Sequence, residues 1–209
     1  MMMSCQKSTV FTCAVASAFL LILVLPSIHG TPTGAPAAAC KDMTPQHGYT
    51  PQTSASPFKT EIPVGEYVLM DDPVKLELRS SSADTFKGFL VMAFDIDNDS
   101  KPIGTFKTPV DDQAQLMSCP SDDVEGTLNA ATHTSNSTKS LVNLEWQPPL
   151  YYMGIAVFRT TYVKDAMTYW TKTESITVSF VMEIPNSATS LSSVWAGLVA
   201  VSLLAFLMR

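Results

Sequence analysis

GFLVMAF, residues 88–94, is an apolar run without a charge in the middle of the chain. A strand with one wet face alternates polar and apolar side chains, so an unbroken run of this length predicts a central strand buried on both faces. The polar residues 95–100 that follow predict the turn that ends this strand. Gly88 has no side chain, which allows another backbone or a large ring to approach the strand closely.

Further strand patterns lie on both sides of this run. Residues 74–79 and 141–146 alternate apolar and polar side chains, and residues 154–161 are rich in β-branched and aromatic side chains. Near the end of the middle segment the alternation returns, and it places five apolar side chains on one face: Ile176, Val178, Phe180, Met182 and Ile184. No ten residues keep a helical period, so the sequence predicts an all-β antiparallel β-sandwich, with a barrel as the alternative.

The segment before these strands, residues 31–63, is interrupted by prolines. They forbid a continuous helix and favour extended backbone. We expect an arm that lies along the domain and is pinned by Cys40. Its Ser and Thr content would also suit O-glycosylation.

Two apolar runs bracket the middle of the chain. Residues 10–25 have the length of a secretory h-region, so residues 1–30 are predicted to be a signal peptide cleaved after Gly30, with an uncleaved signal anchor as the alternative. The other run, 194–208, would span only about 22 Å as a helix, short of the roughly 30 Å hydrocarbon core. Residues 186–209 are therefore predicted to be an anchor signal of the glycosylphosphatidylinositol type, with Asn186 as the lipid attachment site.

A short membrane segment and plain secretion remain the alternatives for this C-terminal end. In each case residues 31–185 form one domain outside the cell, secreted or anchored at the outer surface, and any membrane contact is through the C-terminal anchor.

The cysteines and sequons fit an exported chain. Cys5 and Cys13 leave with the signal peptide, so Cys40 and Cys119 have only each other and are predicted to form a disulfide. A redox role would call for a C-x-x-C motif, which is absent. The sequons at Asn98 and Asn136 are predicted to be glycosylated and therefore to lie in exposed loops; chance sequons without a glycan are the alternative.

Composition excludes one class of partner. The chain has 13 Lys and Arg against 19 Asp and Glu, a net charge of −6. Lys7 and Arg209 lie in the terminal segments, so the middle is more acidic still. Such a domain lacks the basic footprint that nucleic acid requires.

Motifs for catalysis, cofactors and metals are missing. No nucleophile elbow, zinc-protease motif, P-loop or dinucleotide fingerprint occurs, so we expect a non-enzyme without a cofactor. Residues 95–99 resemble the start of a calcium loop but lack its later Gly and Glu, so a solvated turn is favoured over a looser calcium site. His47 and His133 lack metal-ligand spacing and are expected to be hydrogen-bonded structural residues. Trp146 is expected in the core, whereas the sequence does not decide between a buried and an exposed position for Trp170.

An ordered series of motifs over about residues 36–170 resembles the reeler domain family. The motifs are GAP (34–36), ACKDMTPQH (39–47), PQTS (51–54), PF (57–58), FKGFLVMA (86–93), IGTF (103–106), Cys119, TH (132–133), WQP (146–148), VFRTT (157–161) and YW (169–170). The resemblance implies an immunoglobulin-like sandwich with one disulfide from the N-terminal arm to the sheet. Reeler domains with more cysteines form additional bridges, which this chain lacks.

As a single domain, the chain is most similar to the noduler-like insect defence family. That similarity implies a non-catalytic protein of innate defence whose partners are microbial surface glycans or lipids. The alternative is a cell-surface adhesion module whose partners are extracellular matrix and cell surfaces. Reductase-like relatives add a haem-binding membrane unit for which this chain has no room. No family motif marks ligand-binding residues that could be transferred.

Overall fold

The structure, a computed structural model, describes residues 31–109, 111–120 and 128–185. The predicted signal peptide 1–30 and the predicted anchor 186–209 with Asn186 lie outside the described residues. Within the described part, no helix is long and apolar enough to cross a membrane. The elements are a short 3-10 helix (Ala37–Cys40), β1 (Phe58–Glu61), β2 (Tyr67–Leu69), β3 (Val74–Ser80), β4 (Gly88–Asp95), β5 (Thr105–Phe106), β6 (Ala114–Met117), β7 (Ala130–His133), β8 (Leu141–Gln147), β9 (Ile155–Val163) and β10 (Tyr169–Val181).

The strands form two sheets that pack face to face. One sheet has the order β1-β3-β8-β5 and the other the order β2-β10-β9-β4-β7-β6. All pairs are antiparallel except β2 with β10, which run parallel. The predicted β-sandwich is confirmed, and the barrel alternative is wrong.

The apolar run at residues 88–94 is the centre of the larger sheet. It forms most of β4, which pairs with β9 on one side and β7 on the other. Every residue from Gly88 to Phe94 is buried. The prediction of a strand buried on both faces is therefore confirmed.

Large rings fill the space between the two sheets. Trp146 of β8 meets Phe158 of β9 edge to face, with ring centroids 5.2 Å apart. Phe58 of β1 lies 5.5 Å from the ring of Tyr162 on β9. All four rings have no exposed surface. The buried Tyr162 hydroxyl is satisfied by Thr60 at 2.9 Å, so the core includes a polar contact between the sheets without an orphaned group.

A glycine turn covers one edge of the indole of Trp146. The indole nitrogen donates to the carbonyl of Ile103 at 3.1 Å. Gly104 has φ 65°, and a Cβ there would come within 2.3 Å of the Trp146 ring. Only glycine suits both the backbone conformation and the space at this position. Trp146 is thus in the core, as predicted.

The prediction for the last strand is corrected in two respects. Of its five alternating apolar side chains only Val178 and Phe180 are buried, whereas Ile176, Met182 and Ile184 are 47%, 72% and 45% exposed. A register shift in the β9–β10 pairing falls between Glu174 and Thr177 and so includes Ile176, and the strand ends at Val181, before Met182 and Ile184.

Trp170, for which the sequence did not decide between a buried and an exposed position, is buried at 9% exposure. Its indole nitrogen donates to the carbonyl of Ser54 at 3.1 Å. The segment 31–63 is also shorter as an arm than predicted. Its end forms β1, which pairs with β3 in the smaller sheet.

Candidate functional site

The arm, residues 31–57, packs on the outer face of the six-stranded sheet. This is the face that points away from the smaller sheet. Ala39 and Met43 of the arm form a buried cluster with Leu90 and Met92 of β4 and Val157 of β9. The arm therefore supplies the second apolar surface that a central strand without polar side chains requires.

One disulfide and several hydrogen bonds fix the arm. Cys40 and Cys119 are bonded with a Cα–Cα distance of 5.5 Å, and they are 79 residues apart in sequence. The buried side chain of Asn129 accepts from the backbone N–H of Cys119 at 2.7 Å and donates to its carbonyl at 3.0 Å. The disulfide therefore ties the arm to a backbone segment that is itself held in place.

Two threonines of the sheet add hydrogen bonds to the arm. The N–H of Ala35 donates to the hydroxyl of Thr132 at 2.9 Å. The hydroxyl of Thr161 donates to the carbonyl of Met43 at 2.7 Å. Both threonines are buried, so these bonds also satisfy polar groups on an otherwise apolar face.

A cavity of about 420 Å³ remains between the arm and the sheet. It is lined by the arm, the start of β4, the end of β9, and the loops that join β7 to β8 and β9 to β10. Its volume lies within the range of roughly 300–1,000 Å³ that is typical of small-molecule sites. This concave site at a loop-bearing end of the sandwich is the candidate functional site.

His133 lines the cavity and is 8% exposed. The N–H of Phe89 donates to its Nδ1 at 3.2 Å. The ring stands against Gly88, where a Cβ would lie 3.0 Å from the ring carbon Cε1. The group that approaches the strand closely at Gly88 is therefore the ring of His133. The prediction that His133 is a hydrogen-bonded structural residue is confirmed.

The environment of His133 keeps its imidazole neutral. Burial lowers its pKa from the ordinary value of 6.5, and the nearby charges of Lys139 and His47 act in the same direction. Backbone groups of Phe89 and Thr31 act in the opposite direction. At neutral pH the ring is an uncharged hydrogen-bonding group in the cavity wall.

His47 on the arm departs from the expected pattern. Its ring lies edge-on to Tyr169 with centroids 6.1 Å apart. Its Nδ1 atom is buried and has no hydrogen-bond partner. A buried nitrogen without a partner costs free energy unless water or a ligand supplies one, and this one belongs to a residue that lines the cavity.

Charged and polar residues surround the cavity mouth. Lys87 is exposed and makes no ion pair in the described part of the chain. Asp165 accepts from the N–H of Met167 at 2.9 Å, within its own turn. The predicted glycosylation site Asn136 is exposed and also lines the cavity.

A buried lysine supports the loop that carries Asn136. Lys139 is 2% exposed, and its ammonium donates to the carbonyls of Lys87 at 3.0 Å, Ser135 at 2.8 Å and Ser137 at 2.8 Å. Burial lowers its pKa. Its three bonds hold the β7–β8 loop against the start of β4 and so shape one side of the cavity. Nothing in the local sequence distinguishes Lys139 from a solvated lysine, so its role cannot be predicted from the sequence.

Two carboxylates, one at the end of β4 and one in the acidic loop after it, bind protein partners. Asp95 accepts from the hydroxyl of Tyr152 at 2.6 Å, and Asp99 pairs with Arg159 at 3.0 Å. In the described residues no group of three His, Cys, Asp or Glu side chains could hold a metal ion. Asn98, the other predicted glycosylation site, is exposed on this loop.

Comparison with known proteins places the fold and the family. The family model of the reeler domain matches residues 38–186. A putative defense protein of Bombyx mori is 32% identical over 177 residues, which cover 82% of this chain and 98% of that protein. Ferric-chelate reductase 1 of Bos taurus is 33% identical over 158 residues, but the chain spans only 25% of that protein.

Solved structures agree with the architecture. The crystal structure of the human F-spondin reeler domain has a TM-score of 0.52 to this chain, covering 64% of this chain and 94% of that domain at 13% identity. At that identity the likeness concerns the fold alone. The family model and the extent of the match to the Bombyx mori protein together decide the assignment: the chain belongs to the reeler domain family.

Proposed function

We propose that this chain is an exported, non-catalytic recognition protein of innate defence that binds microbial surface glycans or lipids. One observation carries the defence role: the 32% identity to the putative defense protein of Bombyx mori extends over 98% of that protein. The cavity beneath the arm supports binding, since it is preformed and open to solvent.

The proposal includes a place outside the cell. The bonded Cys40 and Cys119 suit an oxidising compartment. The exposure of Asn98 and Asn136 suits glycosylation, which occurs on exported chains. We propose that residues 1–30 are removed as a signal peptide and that residues 186–209 direct lipid anchoring at Asn186. Phospholipase release from the cell surface tests the anchor, and a protein found only in the medium contradicts it.

The binding experiment uses the full chain produced in a eukaryotic secretory host. The protein is incubated with Gram-negative and Gram-positive cells at physiological salt, and bound protein is measured after washing. We expect saturable binding that soluble lipopolysaccharide or lipoteichoic acid competes away. A fraction bound no larger than that of an unrelated acidic secreted protein would contradict the proposal.

A second candidate function, cell-surface adhesion, is favoured by exposed apolar side chains at the other end of the sandwich. Leu150 and Tyr151 lie in the β8–β9 loop and are 74% and 69% exposed, and Met182 after β10 is 72% exposed. The N–H of Tyr151 donates to the carboxylate of Asp71 at 2.7 Å, which holds this loop in place. Aggregation of cells that display the full chain tests this function, with a Leu150→Ser/Tyr151→Ser variant as the matched control.

A further inference from the structure

We propose that the cavity beneath the arm binds the acyl chain of a lipid whose anionic head group, a carboxylate or a phosphate, lies at Lys87. This inference rests on the proposed function and specifies the ligand class of the same site.

Most of the accessible surface of the lining is apolar. The apolar lining residues that keep accessible surface are Pro32, Ala35, Pro36, Pro45, Val163 and Ala166. Met43, Phe89 and Leu90 also border the cavity but are only 2–3% exposed, so the ring of Phe89 offers no face on which a sugar could stack. A stacked sugar requires an open aromatic surface, whereas an acyl chain requires only apolar walls.

Affinity for an acyl chain should depend on its length. Each buried methylene contributes about 0.8 kcal/mol, which corresponds to about a fourfold gain in affinity. The gain should stop when the chain fills the about 420 Å³ that the cavity offers. A series of chain lengths therefore reports whether the ligand lies inside the cavity or only on the surface.

The polar groups determine which end of the lipid faces outward. Lys87 at the mouth has no carboxylate partner in the described part of the protein, so its ammonium is available to an anion. The buried Nδ1 of His47 can donate to a head-group oxygen when it carries the ring hydrogen, or accept from a hydroxyl or a bridging water when it does not. The net charge of −6 opposes anions at long range, so apolar burial must supply most of the affinity.

The experiment titrates the full chain with octanoate, decanoate and dodecanoate below their micellar concentrations, and heat or displacement of a fluorescent fatty acid is measured. We expect about a fourfold gain in affinity for each added methylene until the cavity is full. Equal affinity for octanoate and dodecanoate would overturn the proposal.

Two neighbouring residues provide a matched pair of variants. Ala166 is exposed and lines the cavity mouth, whereas the next residue, Met167, is exposed and does not line it. Ala166→Trp should lower the affinity for dodecanoate at least tenfold, and Met167→Trp should leave it unchanged. Full affinity in Ala166→Trp, with its circular dichroism spectrum unchanged, would overturn the assignment of the site.

A second pair tests the head group. Lys87→Gln should weaken the binding of dodecanoate and of dodecyl phosphate several-fold but spare the neutral dodecyl glucoside. Lys75→Gln, an exposed lysine on β3 of the other sheet, should weaken none of them. A Lys87→Gln variant that binds both anions as well as the parent protein would overturn the role of Lys87. Comparison of dodecanoate with dodecyl phosphate distinguishes a carboxylate from a phosphate head.

The experiments can contradict the acyl site and the proposed function separately. If dodecanoate binds with the expected length dependence and bacteria do not bind, the proposed function is wrong and the acyl site remains. If bacteria bind equally well to the parent protein and to Ala166→Trp, and no lipid binds to either, the acyl site is wrong and the proposed function remains.

Discussion

The two faces of the six-stranded sheet are buried by different means. The inner face packs on a second sheet through interlocking rings such as Trp146 and Phe158, which have no exposed surface. The outer face is covered by a single proline-interrupted arm that one disulfide and a few hydrogen bonds hold. A cavity of about 420 Å³ lies under the arm.

The difference shows how one strand can serve two purposes. Alternate residues of β4 point to opposite faces, so Phe89 and Val91 enter the inner core while Leu90 and Met92 meet the arm. Sheet-on-sheet packing fills space with side chains from many strands, whereas an arm with little regular structure leaves gaps. Stability therefore resides mainly in the inner face, and the candidate site lies on the outer one.

The largest loss of stability is expected from a substitution on the inner face of the sheet. Trp146→Ala removes a fully buried indole and its bond to the Ile103 carbonyl, so the free energy of unfolding should fall by about 3–5 kcal/mol. Urea unfolding followed by circular dichroism measures it. Leu150→Ala, at a side chain 74% exposed, is the control and should change stability by less than about 0.5 kcal/mol. A loss below about 1 kcal/mol for Trp146→Ala would contradict this description of the core.

The next largest loss of stability is expected from removal of the disulfide that holds the arm. Replacing both Cys40 and Cys119 by Ala removes a cross-link between residues 79 apart, which should lower the free energy of unfolding by about 2–4 kcal/mol. Hydrogen exchange should rise first in the arm, whose amides include that of Ala35, while the strands of the inner core stay protected. Uniform loss of protection across both sheets would show that the arm is no separate unit.

The inner face could largely be predicted from the sequence, and the outer face could not. Alternation marks residues such as Leu76 and Val142, because the strand period places each apolar side chain on the same face. The short strands β1, β2, β5, β6 and β7 were not predicted, because a strand of four residues or fewer is too short to show an alternating pattern. The register shifts of β10 are likewise tertiary features with no local signal.

The cavity depends on contacts that no local pattern records. The arm and the sheet that enclose it are far apart in sequence: the hydrogen bond of Ala35 with Thr132 joins residues 97 apart, and that of Thr161 with Met43 joins residues 118 apart. The sequence identified Gly88 as a place for a ring, but not that the ring is His133. Lys139 makes its bonds only in the folded loop. The longer strands of the sandwich and the two disulfide cysteines can therefore be predicted from the sequence, whereas the concave site can be found only in the three-dimensional structure.

The smallest effect is a pH dependence that distinguishes the two faces further. Burial holds the pKa of His133 below its ordinary value of 6.5, so the folded protein favours the neutral ring. As the pH falls below about 6.5, the unfolded chain binds a proton that the folded protein does not, and stability is lost until the folded pKa is reached. The slope from this one group cannot exceed about 1.4 kcal/mol per pH unit. Urea unfolding between pH 8 and pH 5 measures it.

Two histidine variants test the origin of this pH dependence. His133→Gln should remove the slope near pH 6, whereas His47→Gln should retain it, because the buried ring of His133 at the cavity wall remains. An unchanged slope in His133→Gln would mean that the pH dependence originates elsewhere and that the cavity wall does not hold a neutral imidazole.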